Sequence, residues 1–275
     1  MSQIVSTFPL VGKIADALMD GLFPCDERCG LCKRSVWLQK PYLCAPCLEK
    51  LVPVHSPCGK CGRPLFNPLL ACPYCNPHAE PYTRRFLGYV LNGEAKYLMH
   101  RYKYGGERFL ATVLSALFTE RLKAQLGDGD LPFTVVTSIP SGKKRRALRG
   151  FDHCGDLARA VAKDLGILYR PYLERVTHER AQAESNRAER AYNLEQAFCV
   201  LSNDMTLTKN PGQQRLLIVD DVLTTGATIE AATMTLKRTY PHLEIYEGAV
   251  FYTPETVGVD CGEKNEENLF EQVEF

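Results

Sequence analysis

The apolar positions along the chain change their spacing several times, and those changes outline its organisation. In the first 23 residues Leu10, Ile14, Ala17 and Leu18 fall at helical spacing, which predicts an amphipathic helix packed on the body. Asp16 and Asp20 interrupt the apolar run and no basic start precedes it, so it does not read as a secretory signal. Residues 24–80 hold no long apolar run. From residue 81 the pattern alternates. Phe86–Leu91 reads as a strand, Glu94–Tyr104 as a helix ended by Gly105-Gly106, Phe109–Leu126 as an amphipathic helix and Phe133–Ile139 as a strand. Leu157, Ala158, Val161, Ala162 and Leu165 share one helix face. Leu216–Val219 is a continuous apolar run of the kind buried on both faces of a parallel sheet, Ile229–Lys237 a helix and Leu243–Tyr252 a last strand. Strands alternating with helices predict an α/β fold with a mostly parallel sheet.

Two polar stretches interrupt this pattern. Residues 177–198 carry Gln182, Arg187, Arg190 and Asn193 with too few apolar residues to bury. They read as a functional loop or as an exposed helix, Ala181–Glu195, that moves as a lid. Residues 203–213 read as a turn ahead of the central strand. From Glu255 onward there are seven acids and one lysine, an acidic tail expected to be mobile. The expected divisions are an N-terminal helix (1–23), a metal-binding module (24–80), an α/β domain (81–254) and the tail (255–275).

Composition narrows the function classes. At 275 residues and a formal net charge of +1, the chain has ample material for a core and no global attraction for polyanions. No apolar run is long enough to span a bilayer. Nine of the twelve cysteines lie between Cys25 and Cys75, and eight of them form C-x-x-C knuckles: Cys29/Cys32, Cys44/Cys47, Cys58/Cys61 and Cys72/Cys75. That spacing suits metal in a reducing cytoplasm rather than disulfides. Two knuckles complete a tetrahedral thiolate site of the kind zinc prefers, so eight ligands imply two structural Zn²⁺. The short intervening lengths favour pairing the first two knuckles and the last two, although interleaved pairing is also open. Cys25 is left as an alternative ligand or a free thiol. Iron–sulfur binding is the weaker competitor. With its thiolates and zincs counted, the module carries a net charge near −1, which does not fit a basic DNA-binding finger. Arg28, Lys33, Arg34 and Lys40 beside Trp37 leave a local nucleic-acid contact open, against a blander docking role for the tryptophan. Cys154, Cys199 and Cys261 have no neighbouring cysteine and read as packing thiols.

The chemistry concentrates in Leu216–Thr228. Asp220 and Asp221 follow the apolar run, then Thr224-Thr225-Gly226-Ala227-Thr228 lead into a helix. A helix N-terminus after a glycine turn offers unpaired N–H groups and a favourable dipole to a phosphate. Two acids repel that phosphate but suit the hydroxyls of an attached sugar. The implied ligand is a sugar phosphate. Neighbouring strand residues face opposite ways, so both carboxylates are expected to reach one ribose only if the chain leaves the strand at Asp220. A second cationic stretch follows Pro140-Ser141-Gly142: Lys143, Lys144, Arg145, Arg146 and Arg149, with no acid among them. Read as a loop at the end of a parallel strand, it lies where open α/β sheets bind ligands, and anion binding is favoured over plain solvation. Lys103, at a helix end beside a glycine turn, is as well suited to face a ligand as to be solvated. His153 is the candidate acceptor base, with a structural role the commoner one for a histidine at a helix start.

The Leu216–Thr228 stretch resembles the 5-phosphoribosyl-diphosphate (PRPP) loop of type I phosphoribosyltransferases. That resemblance implies that Asp220 and Asp221 hold the ribose hydroxyls and that Thr224, Thr225, Gly226, Ala227 and Thr228 wrap the 5-phosphate. The order of N-terminal knuckles, Ile139-Pro140, Arg149-Gly150-Phe151-Asp152, Gln182…Arg190…Asn193…Phe198 and this loop resembles the ComF family over roughly residues 22–253. The Thr177–Gln182 interval is longer than the family's. Membership implies a Rossmann-like type I phosphoribosyltransferase fold with a small zinc-ribbon-like N-terminal domain, and a cytoplasmic setting. It also implies a role in handling incoming single-stranded DNA during natural transformation, with a DNA-uptake helicase as partner. On this reading Mg²⁺-PRPP is the ligand, and Asp220, Asp221 and Arg149 are the catalytic set. Lys103, Lys143, Lys144, Arg145, Arg146, Arg149 and Arg187 face the diphosphate. The alternative is a non-catalytic adaptor for single-stranded DNA or nucleotide. The retained acid pair favours a ribose phosphate over a bare phosphate backbone. No residue identifies the acceptor.

Overall fold

The computed structural model of the chain describes residues 28–34, 42–75, 81–176, 197–201 and 215–254. The expected N-terminal helix and acidic tail therefore lie outside the described residues. So do Cys25, Trp37, Lys40, Thr177, Gln182, Arg187, Arg190, Asn193 and Cys261, and with them the lid reading of 181–195.

The centre is a five-stranded, all-parallel sheet of β1 (Arg84–Val90), β2 (Val135–Ser138), β3 (Leu168–Tyr169), β6 (Arg215–Leu223) and β7 (Glu244–Tyr252), in the order β1-β7-β6-β2-β3. β4 (Leu173–Arg175) and β5 (Phe198–Val200) form a separate antiparallel pair. β6 lies in the middle of the large sheet, which explains its unbroken apolar run. Leu216 and Ile218 join Ile229, Ala232, Leu236 and Ile245 in the core on one face. Leu217 and Val219 join Phe118, Leu157 and Val161 on the other. The mostly parallel α/β class expected from the sequence is present.

Six described helices surround the sheet: α1 (Ala45–Leu48), α2 (Gly93–Tyr104), α3 (Leu110–Leu126), α4 (Lys143–Arg149), α5 (His153–Leu165) and α6 (Ala227–Thr239). α2 starts where the Asn92 side chain accepts a hydrogen bond from Ala95 N at 3.0 Å, with Glu94 in its first turn. α5 shows the face its pattern predicts, with Leu157, Ala158, Val161, Ala162 and Leu165 all buried. α3 is less one-sided than its pattern suggests. Val113, Leu114, Ala116, Leu117 and Phe118 are all buried, because the helix lies between the sheet and the cysteine-rich segment. A Cβ on Gly30 would sit 3.1 Å from Val113 Cγ2 and 3.4 Å from Leu43 Cδ2, so this segment approaches α3 closely.

Two local expectations are corrected. The cationic stretch 143–149 is a helix rather than a loop, ended by Gly150 in the left-handed region at φ 74°. Arg146 and Arg149 fall in its last turn, where the helix dipole favours cations. The central strand also does not end at Asp220. It continues to Leu223, with Asp220 paired to Ala249, Val222 to Phe251 and Leu223 to Tyr252. Pairing with β2 stops earlier, at Val219 and Ser138. Past Val219 one edge of β6 is therefore free of β2, and a pocket opens there.

Candidate functional site

All five strands of the sheet are parallel, so their carboxyl ends share one edge and the loops after β1, β2 and β6 meet there. α2 flanks that edge. Gly93, Lys96, Tyr97, His100 and Lys103, spread along its length, line one cleft with Val222 and Thr224 from the end of β6. Beside it is a polar pocket of about 330 Å³. Its walls are Lys103 from α2, Ile139 to Gly142 after β2, Arg149 from α4, His153 and Cys154 from α5, Arg175 from β4, Asp220 and Asp221 from β6, and Thr228 from α6.

Asp221 is buried and held by Lys103 and His153. Lys103 Nζ lies 3.0 Å from each carboxylate oxygen, and His153 Nε2 lies 3.3 Å from Oδ2. Burial alone would raise this carboxyl, but Lys103 and His153 outweigh it and bring it down to about 2. Its neighbour behaves oppositely. Burial, and then repulsion from Asp221, push Asp220 up to about 7. The Asp220 side chain accepts Asp221 N at 2.8 Å. Adjacent carboxylates with separated titrations form an asymmetric pair, one a fixed anion and one close to exchanging its proton at neutral pH.

This asymmetry has a consequence for stability. A carboxyl whose folded pKa is raised from 3.8 to about 7 favours the folded state at low pH, and that contribution is lost as pH rises through about 7. Asp220→Asn cannot lose a proton. Thermal unfolding is expected to find the variant a few degrees more stable than wild type near pH 8, with the gap narrowing below about pH 7 and closing by about pH 4. A gap that is constant with pH would contradict the raised pKa.

The turn after β6 has the features of an anion cradle. Gly226 sits at φ 92°, a conformation that favours glycine, and a Cβ there would come within 3.1 Å of Glu230 Oε1 and 3.3 Å of Arg85 Nη1. α6 begins at Ala227, so the first N–H groups of a 13-residue helix open toward this turn. Thr225 Oγ1 accepts Ala227 N at 3.4 Å. Thr224 and Thr225 are exposed, and Thr228 lines the polar pocket.

The structure gathers Lys103, Arg149, Asp220, Asp221 and Thr228 around one pocket. Arg149 Nη1 lies 2.9 Å from His153 Nε2 and 3.0 Å from Nδ1, and its guanidinium covers the Tyr104 ring at 5.1 Å. Arg146 is exposed and does not line the pocket. Of Lys143, Lys144 and Arg145 only the backbone is described, and Arg187 lies outside the described residues. His153 proves to be buried, with its carbonyl accepting Tyr102 Oη at 2.5 Å. Burial pushes the Cys154 thiol well up, as befits a packing cysteine, whereas Cys199 is exposed on β5.

Sequence reasoning missed Ser141, Cys154 and Arg175 as pocket walls. It also missed the adjoining cleft of about 760 Å³, whose largely apolar walls include Tyr97, Met99, His100 and Tyr104 and which shares Lys103 and Asp221 with the polar pocket. The i, i+3, i+7 spacing of Tyr97, His100 and Tyr104 was a readable signal for this second feature. Nothing in the sequence ties it to β6.

The cysteines form two four-sulfur sets, Cys29/Cys32/Cys44/Cys47 and Cys58/Cys61/Cys72/Cys75, with all ligand atoms of each set within 4.8 Å of one another. The first two knuckles pair, and the last two pair. Sulfurs of Cys32 and Cys44 are 3.6 Å apart, of Cys61 and Cys72 3.7 Å, and of Cys58 and Cys75 3.9 Å. Four thiolates at about 2.3 Å from one zinc are spaced by about 3.8 Å, so the residues fit that ion. Backbone N–H groups of Cys44, Lys60 and Tyr74 point at the sulfurs of Cys29, Cys58 and Cys72, each at 3.4 Å. Burial raises Cys29 and Cys58, yet such N–H donors prevail and bring them down to about 6 and about 7. The first set is clamped to the α2–α3 turn. Arg101 donates to Gly30 O at 2.5 Å and pairs with Glu107, which also accepts Lys33 Nζ at 2.5 Å.

No family model matches the chain. Curated proteins do. It is 28% identical to the DNA utilization protein YhgH of Salmonella typhimurium over 76% of this chain and 90% of that protein. It is 32% identical to the competence protein ComFC of Streptococcus pneumoniae over 54% of this chain and 60% of that one. It is 24% identical to competence protein F of Haemophilus influenzae over 77% and 91% of the respective chains. These relatives support the ComF family, which the order of motifs in the sequence also resembles. Among solved structures it is similar to an adenine phosphoribosyltransferase at 15% identity and a TM-score of 0.36, covering 56% of this chain and 75% of that one. At that score the likeness carries no weight beside the protein's own sheet order and site. No described helix is long and apolar enough to cross a membrane.

Proposed function

We propose that this protein is a cytoplasmic phosphoribosyltransferase-type member of the ComF family that binds Mg²⁺-PRPP in the polar pocket and transfers or recognises its ribosyl group, in the service of single-stranded DNA handling. The observation that carries this reading is the juxtaposition, across 330 Å³, of a carboxylate pair, a helix-N-terminal cradle and cations from three other elements. A phosphate alone would gain nothing from Asp220 and Asp221. A sugar alone would gain nothing from Arg149, Arg175 and the cradle. One ligand uses all of them: a ribose with a phosphate at one end and a diphosphate at the other.

The roles follow from charge. Residues 224–228 receive the 5-phosphate. Asp220 and Asp221 both line this pocket although β6 runs on past them, and they accept hydrogen bonds from the ribose hydroxyls, with Lys103 and His153 keeping Asp221 ionised. Arg149 and Arg175 face the diphosphate. Charge on a departing diphosphate grows as its bond to the sugar breaks, so cations already in place stabilise that state more than the ground state. Mg²⁺ suits a site made of carboxylates and substrate phosphate oxygens, and it would neutralise part of the diphosphate charge. Zn²⁺ in the two four-cysteine sets is structural. The apolar cleft sharing Lys103 and Asp221 is where a second substrate would approach the same ribose. The names of the relatives connect the reading to DNA utilisation and competence. An uptake helicase and single-stranded DNA are the partners it suggests.

Titration with the two halves of the ligand tests the assignment. Ribose 5-phosphate and Mg²⁺-diphosphate are each expected to bind, and each to be displaced by PRPP. If ribose 5-phosphate does not bind, or if PRPP leaves it in place, the reading is wrong.

A further inference from the structure

The second four-cysteine set lies against the back of the phosphate cradle, and two arginines connect them. Gly62, in the knuckle turn, adopts φ 71°, and a Cβ there would sit 2.6 Å from Arg85 O. Only a glycine lets the knuckle lie this close to β1. Cys58 N donates to Arg63 O at 2.8 Å and Gly62 N to Cys58 O at 3.0 Å, closing the turn and fixing where Arg63 leaves it. The Arg63 side chain is buried. Its Nη1 donates to Tyr74 O at 3.4 Å, between Cys72 and Cys75, and its Nη2 donates to Thr225 O at 3.3 Å. Arg63 therefore ties both knuckles of one metal set to the cradle, its backbone bonded to Cys58 and its guanidinium to Tyr74 and Thr225. Arg85 makes a parallel link. Its backbone N donates to Lys60 O at 2.8 Å, and its side chain, held by Glu247 at 2.7 Å and Glu230 at 2.9 Å, lies beneath Gly226.

We propose that the second four-cysteine module is a working part of the ligand site, with Arg63 as the positioning residue that aims the cradle. This rests on the reading of residues 224–228 as a phosphate cradle. The physical reason is peptide planarity. The carbonyl of Thr225 and the N–H of Gly226 belong to one rigid plane and point in opposite directions. Drawing the carbonyl down onto Arg63 turns the Gly226 N–H away from the module, toward the open side of the turn. A charge-assisted hydrogen bond at the oxygen also strengthens that N–H as a donor. Thr225 and Gly226 are thus braced from behind by two arginines, of which Arg63 owes its placement to the fold of residues 58–75. The metal that fits this set would give that segment its order, so the brace exists only in the loaded protein. Arg63 itself does not touch the ligand.

The test uses the full, metal-loaded chain as wild type, Arg63→Ala and Arg63→Lys. Hydrogen exchange in the absence of ligand is expected to show amides 225–228 exchanging roughly tenfold faster in Arg63→Ala, the loss of one hydrogen bond to a charged group. Amides of β7 are expected to stay unchanged, two metals per chain to be retained, and Arg63→Lys to recover part of the protection. The dissociation constant for ribose 5-phosphate is expected to rise roughly tenfold in Arg63→Ala, and that for Mg²⁺-diphosphate to stay put. Unchanged exchange at 225–228 overturns the brace. So does acceleration that spreads equally to β7 or comes with metal loss, since Arg63 would then only be holding the fold. A wild-type protein that shows the exchange pattern but binds no ribose 5-phosphate overturns the ligand reading instead.

Discussion

Asp221→Asn is expected to weaken Mg²⁺-PRPP binding by roughly a hundredfold or more, while Asp220→Asn costs less. The two aspartates are neighbours in sequence but not equivalent in the structure. Asp221 is the fixed anion, drawn down to about 2 by Lys103 and His153 despite its burial. Asparagine keeps the shape and removes the charge, so Lys103 and His153 lose their shared partner and each turns to solvent or to the diphosphate. Breaking a buried pair from one side typically costs about 3–5 kcal/mol. The Lys103 side chain is 22% exposed, which places the expected loss at the low end of that range. The variant is thus expected to unfold at a lower temperature than wild type, in contrast to the stabilisation expected for Asp220→Asn at high pH. Opposite signs from adjacent acids are a demanding outcome for calorimetry and thermal melts together. Equal effects from the two would show that the asymmetry has no energetic weight.

Removal of metal is expected to have the largest effect on the protein as a whole. Each four-cysteine set fits a zinc, and zinc-finger sites contribute apparent energies of about 10–16 kcal/mol near neutral pH, as large as the full stability of a typical domain. The first set is not an appendage. Cys29, Leu31, Leu43 and Cys47 share one core with Leu110, Val113, Leu114 and Phe86. Chelation is therefore expected to lower the melting temperature of the α/β core as well as that of the cysteine-rich segment. Metal analysis is expected to give two zincs per chain, and Cys47→Ser to leave one. An α/β core that melts at the same temperature with and without metal would show that the contacts of Leu31 and Leu43 on α3 contribute little.

The parts of this account that were legible in the sequence are those encoded by local pattern. The double-sided burial of β6 is written as four successive apolar residues, and α5 by its apolar stripe. The knuckles could be read from their C-x-x-C spacing, but the connections between them are nearly equal in length, so it is the fold that excludes interleaved pairing. The turn and helix start after β6 were legible because a glycine followed by good helix formers imposes its geometry locally. What escaped were features set by tertiary context. Nothing near Asp220 says whether β7 goes on pairing beyond it, so the continuation of β6 to Leu223 could not be read. Lys143–Arg149 reads as a charge run, yet seven good helix formers between two glycines form a helix once Gly142 and Gly150 bound it. The Arg63–Thr225 contact joins residues 162 positions apart, and an arginine after a knuckle looks like any surface cation until the fold brings it under the cradle.

The central claim is that one ribose phosphate with a diphosphate leaving group spans the carboxylates, the cradle and the cations. Calorimetry with Mg²⁺-PRPP on wild-type protein and on Asp220→Ala/Asp221→Ala tests it most directly. One-to-one binding by wild type and none by the double variant, with its fold and metal content intact, is the expected result. No heat of binding from wild type, or equal affinity in the double variant, would contradict it.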